Sequence, residues 1–227
     1  MSFLRPRRVF GWLSIGILGI ASVGEVALVS MQTWRGVASH FNETTPFDSS
    51  VFSLMGMLVS LIGVMTLLIT VRSFVGVDAA PSLALAIRLG LVLTLVSQGV
   101  GVQMIAEGGN TFGQAGALKV PHALTLHAAQ LLPALALVLA VSESAESRRV
   151  RIVGLGALGY GVVIVSTMVQ TYAGRAPFDF GVVSSLLAIV GLVVLAASAV
   201  LALRGLFPHA HPPVSTPPGS VGPLVQG

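Results

Sequence analysis

Residues 49–71 read SSVFSLMGMLVSLIGVMTLLITV, a run without one charged side chain. The hydrocarbon layer of a bilayer is about 30 Å thick and is crossed by about 20 predominantly apolar helical residues. Backbone groups in hydrocarbon must be satisfied within the segment, so the run is read as a transmembrane helix. Residues 152–174 and 180–203 are equally free of charge. Residues 122–142 form another span, entered by His122 and carrying His127 and Gln130. Residues 9–31 hold Glu25, and residues 82–106 hold Arg88, Gln98 and Gln103. The expected fold class is therefore all-α: a polytopic bundle of six transmembrane helices over residues 1–204. No alternating strand pattern competes with it.

Composition agrees. The chain has 227 residues, 54% hydrophobic and 9% charged, whereas a soluble domain carries roughly 25% charged residues. That excludes a soluble enzyme, a nucleic-acid-binding module and a disordered chain. With no cysteine there is no disulfide and no thiolate ligand. The expected partner is the lipid bilayer, with no nucleic acid, and a homo-oligomer or a partner subunit remains open.

Basic residues set the expected orientation. With a cytoplasmic N-terminus, nine fall inside (Arg5, Arg7, Arg8, Arg72, Arg88, Arg148, Arg149, Arg151, Arg204) and three outside (Arg35, Lys119, Arg175). This bias places both termini in the cytoplasm. The first apolar run is longer than the roughly 7–15 residues of a signal-peptide core, so it reads as a retained helix. The segment 205–227, rich in proline and holding His209 and His211, reads as a disordered cytoplasmic tail.

Two outward loops echo each other. Gln32-Thr33-Trp34-Arg35-Gly36 matches Gln170-Thr171-Tyr172-Ala173-Gly174, and Thr45-Pro46-Phe47-Asp48 matches Ala176-Pro177-Phe178-Asp179. A parallel repeat of two-helix hairpins explains the match. Asp48 and Asp179 stand where a helix re-enters, so capping is their expected role ahead of catalysis. Phe47 with Phe52, and Phe178 with Val183, have the spacing of a hydrophobic staple.

Polar side chains gather toward the outer half: Glu25, Gln32, Arg35, His40, Asn42, Asp48, Gln103, Glu107, His122, His127, Gln130 and Gln170 among them. Buried polar groups in hydrocarbon are costly unless partnered, so a shared polar cavity opening outward is expected. Its candidate ligand-binding residues are Glu25, Arg35, His40, Asn42, Gln103, Glu107, Gln130 and Gln170. Candidate metal ligands are His40, His122 and His127, since imidazole ligates zinc, copper or haem iron. At about 100° per residue, His127 and Gln130 lie about 60° apart and share a face, whereas His122 and His127 lie about 140° apart. A metal site would therefore need His40 from the first loop. The alternative for His127 is hydrogen bonding within the bundle. Glu25 is a functional candidate because an ionisable group inside a span is expensive.

Arg35-Gly36 leading to Ser39-His40-Phe41-Asn42, taken with His122, Leu126-His127-Ala128, Gln130, Leu132 and Pro133, resembles a group of small bacterial polytopic inner-membrane proteins. The resemblance implies a bacterial inner-membrane location and carries no established activity. The functional expectation is an extracytoplasmic-facing histidine pocket that holds a haem or a divalent metal ion. Alternatives are an enzyme acting on a lipid or isoprenoid at the outer leaflet, a small transporter, and a subunit of a membrane complex.

Overall fold

The computed structural model describes residues 6–207, with side chains from Phe10 onward. Its helices are α1 (Pro6–Trp34), α2 (Pro46–Val75), α3 (Pro81–Ala106), α4 (Lys119–Ala140), α5 (Glu146–Tyr172) and α6 (Val182–Arg204). All six contain a segment long and apolar enough to cross a bilayer, which makes the chain a multi-pass integral membrane protein. The expected Pro-rich tail falls mostly outside the described residues.

Most of these helices overrun the hydropathy-defined spans, because backbone hydrogen bonding continues past the hydrocarbon until a cap stops it. Proline opens α2 and α3, at Pro46 and Pro81, where a missing N–H costs nothing and its fixed φ suits the first turn. Thr45 caps α2 by accepting the Asp48 N–H at 3.1 Å. Helix α5 starts at Glu146, six residues ahead of its expected span, and so takes in Arg148, Arg149 and Arg151. The Glu146 carboxylate there accepts the Ser82 N–H at 2.7 Å, tying the start of α5 to the start of α3.

Helices α3 to α6 form the packed core. Ala86, Leu132, Ala136, Leu139, Ile152, Val153 and Ala202 bury one another toward the end where the chain finishes, and Ala128, Tyr160 and Ile164 continue the seam. Helices α5 and α6 approach closely because Gly159 and Gly191 carry no side chain. A Cβ on Gly159 would lie 2.6 Å from the Leu195 nitrogen, and one on Gly191 2.8 Å from the Val163 nitrogen. Helix α1 packs chiefly on α2, and α2 on α3, so the first hairpin flanks this core instead of joining it.

The loops α1–α2, α3–α4 and α5–α6 share one end of the bundle, the hairpin end. The repeated Gln-Thr-aromatic-x-Gly stretches close α1 and α5 in the same way. Gly36 (φ 70°) and Gly174 (φ 68°) adopt the left-handed conformation that favours glycine. Val37 N–H then reaches the Gln32 carbonyl at 3.2 Å, and Arg175 N–H the Gln170 carbonyl at 3.3 Å. Helix α3 ends alike, with Gly108 at φ 63°. The α3–α4 loop adds a feature not anticipated from the sequence, a two-stranded antiparallel pairing of β1 (Thr111–Phe112) with β2 (Gly116–Ala117).

The aspartates differ from expectation. Thr45 is the cap of α2, and Asp48 sits inside the first turn, buried, accepting from Gln32 at 3.1 Å and Thr45 at 2.6 Å. Asp179 precedes α6, whose cap is Gly181, and faces Arg175 at 3.5 Å in the open. Nor do the phenylalanines staple. Phe47 lies within α2 with the Arg35 guanidinium 4.7 Å above its ring, and Phe52 packs on Phe41 at 5.5 Å.

Candidate functional site

Between the first hairpin and the core lies a cavity of about 560 Å³. Its walls come from α2 and α3, with Glu25 of α1, His40 and Phe41 of the first loop, and His122 of α4. Val64, Val102 and Ile105 line it and are more than half exposed, so the cavity is open and not sealed within the bundle. Most of the lining is apolar. The polar exceptions are Glu25, His40, Ser60, Gln98 and His122.

The loop must fold back to reach it. Glu25 lies nine residues before Trp34, the last residue of α1, or about 14 Å along the axis at about 1.5 Å per residue. Glutamate and histidine side chains bridge only part of that distance, so residues 35–45 dip along α1. Irregular backbone at such depth is tolerated where it lines a cavity or is buried in protein. Asn42 supplies internal bonds for the dip: its Nδ2 donates to the Ala38 carbonyl at 3.2 Å, and its Oδ1 accepts Thr44 N–H at 3.2 Å and Thr44 O–H at 2.7 Å. Arg35 anchors the dip by pairing with Asp48 at 2.5 Å. Phe41 is held at φ 55°, a strained value for a bulky residue, beside the cavity.

At the mouth, His40 Nε2 lies 3.4 Å from Glu25 Oε1, and His40 Nδ1 lies 2.9 Å from the Ser39 hydroxyl. Glu25 Oε2 is buried with no hydrogen-bond partner among the described residues. His122 Nδ1 is 2.9 Å from the Ser97 carbonyl oxygen, which fixes the ring against α3. The Ser97 hydroxyl donates to the His122 carbonyl at 2.8 Å, so the two residues clasp α3 to α4.

The other candidates lie elsewhere. His127 shares a face with Gln130 and bonds it at 2.7 Å, but the pair sits on the bundle exterior, outside the cavity. Gln170 is buried under the α5–α6 loop: its amide donates to the Ala176 carbonyl at 2.8 Å and to the Asp179 carbonyl, and its oxygen accepts Ser184 O–H at 2.6 Å. Gln103 accepts the Tyr172 hydroxyl at 2.6 Å, and Glu107 caps α3 on the exposed surface. Arg35 and Asn42 organise the dipping loop. The polar residues of the hairpin end thus divide into stitches that hold loops and a small set that meets the cavity. Gln98, absent from the ligand-binding expectation, belongs to that second set, and Phe41 joins it as an apolar lining residue; a strongly polar group deep in α3 was the available signal for Gln98.

The expected metal centre does not assemble: among the described residues no three His, Asp or Glu side chains converge as ligands. The reason is the angular offset on α4, which turns His127 outward when His122 turns toward α3. Compared with known protein families, curated proteins and solved structures, the chain matches none.

Proposed function

We propose that the protein binds an amphiphilic molecule taken from the bilayer, with the apolar chain between α2 and α3 and the head against Glu25, His40 and His122. The carrying observation is the form of the cavity: about 560 Å³, open, walled mostly by apolar side chains on two apolar helices, with Glu25, His40, Ser60, Gln98 and His122 as its polar groups. Ligand sites commonly share this plan of apolar walls with a few polar groups that fix orientation. The basic-residue bias supports an extracytoplasmic head site, at the outer leaflet of a bacterial inner membrane. A Glu–His pair at the head is also an acid–base pair, which favours a second reading, an enzyme acting on a lipid or isoprenoid there.

Mass spectrometry of molecules retained by the detergent-purified full chain tests the binding reading. Gly63→Leu would project into the cavity, where a Cβ already lies 3.7 Å from Gln98 Oε1. The wild type is expected to retain one amphiphile class near stoichiometric level, and the variant to lose it. Identical retained lipids in both proteins would refute the reading.

A further inference from the structure

Away from the cavity, the exterior of α4 carries polar groups at a depth where lipid offers them nothing. The helix has 22 residues, Lys119–Ala140, or about 33 Å at about 1.5 Å per residue, close to the thickness of the hydrocarbon layer. His127 lies eight residues past Lys119 and Gln130 eleven, which sets them about 12 Å and 16 Å along the axis, near mid-bilayer. Both are exposed, and their only side-chain hydrogen bond among the described residues is the one they share, at 2.7 Å. Ala123, Ala134 and Leu137, exposed as well, lie with them inside an arc of about 80°, opposite the buried Thr125, Ala128, Leu132, Ala136 and Leu139. Lipid tails hold no donor or acceptor, so spare polar capacity on this face is costly until another protein surface meets it.

The chemistry of the pair says which surface. A neutral imidazole has one donor and one acceptor, and a carboxamide has both. With Nδ1 donating to Gln130 Oε1, His127 Nε2 remains an acceptor and the Gln130 amide keeps its N–H groups. Turning the amide and shifting the ring proton exchanges the two roles and still leaves one of each. The pair is therefore complementary to itself. Copies inserted in one direction can associate about a two-fold axis along the membrane normal, where a residue on the axis meets its own counterpart. We infer that α4 forms a homodimer interface in the bilayer. His127 of each copy bonds the Gln130 amide of the other, and Ala123 and Ala134 on either side let the two helices approach closely.

The chain has no cysteine, so an introduced one reports its own contacts. In phospholipid vesicles, Ala134→Cys is expected to give a disulfide-linked dimer on mild oxidation. Val190→Cys, on the exposed surface of α6, is expected to stay monomeric. Energy transfer between copies labelled at Val190→Cys, followed as the protein-to-lipid ratio falls, measures dissociation. Replacing His127→Leu and Gln130→Leu together removes two reciprocal bonds, which predicts about 10–100-fold weaker association. Leucine suits an exterior position in hydrocarbon, so the double variant should keep the wild-type unfolding midpoint. If it does not fold, the cross-linking contrast between Ala134→Cys and Val190→Cys decides. A chain that stays monomeric at every ratio, equal cross-linking at the two sites, or association unchanged in the double variant would each overturn the interface.

Discussion

Gln170 distinguishes a stitch from a ligand-binding residue. Replacing it with alanine removes an amide that donates to the Ala176 and Asp179 carbonyls and an oxygen that accepts Gly181 N–H at 3.3 Å and Ser184 O–H at 2.6 Å. A buried polar group left without a partner costs about 1–3 kcal/mol. The full sum over these partners overstates the loss. Ser184 already has an alternative acceptor in the Gly181 carbonyl at 2.9 Å, and the loop carbonyls lie close to the exposed Phe178 and Phe180, near enough to the surface to recover water. One to two uncompensated groups remain, which at a mid-range cost of about 2 kcal/mol each is about 2–4 kcal/mol. At about 2–4 °C per kcal/mol for a chain of this size, the midpoint should fall by roughly 4–16 °C. Thermal unfolding in mild detergent, followed by loss of the monodisperse peak, measures it. Gln170→Glu keeps an acceptor for Ser184 but loses the amide donor to both carbonyls, so it too should be destabilised. Gln32→Ala, at the matching place in the first hairpin, should also be destabilised. A Gln170→Ala midpoint unchanged from wild type would refute the stitch and reopen a binding role for this residue.

Gly159→Val and Gly191→Leu each place atoms where the facing helix backbone already lies, 2.6 Å and 2.8 Å from a backbone nitrogen for the Cβ alone. Each should cost about 1–3 kcal/mol, read in the same unfolding assay, with cross-links between cysteines introduced on α5 and α6 weakened. Tyr160→Phe removes the 2.6 Å hydrogen bond to the Leu124 carbonyl and should cost about 0.5–1.5 kcal/mol, against an expected 2–5 kcal/mol for Leu132→Ala at a fully buried core position.

How much of this was legible in the sequence depends on which interaction decides each feature. Hydropathy over residues 49–71 and its counterparts specifies helices, because every amide in hydrocarbon must bond within its own segment whatever the neighbours do. The paired Gln-Thr-aromatic-x-Gly stretches were legible as a repeat for a related reason: a left-handed glycine and the bonds around it are local, so Gly36 and Gly174 close their helices in the same way. The site is different in kind. Clustering of Gln32, Asn42, Asp48, Gln103 and Gln170 at one end has the same sequence signature whether these side chains meet a ligand or each other. What separates the outcomes is spare hydrogen-bonding capacity, and that is a property of three-dimensional partners. Gln170 spends both ends of its amide on one loop, whereas Glu25 keeps an unpartnered oxygen because only His40 approaches it. Periodicity could show that His127 and Gln130 share a face, yet not that the face is the exterior one, since the helix moment of α4 cannot say which neighbours surround it. His40 reaches Glu25 only because the loop runs back along α1, and that path follows from the Arg35–Asp48 anchor and the Asn42 bonds. An ionisable group inside a span thus pointed to a residue that lines the cavity, Glu25, while polarity at the hairpin end was a guide to how the loops are held.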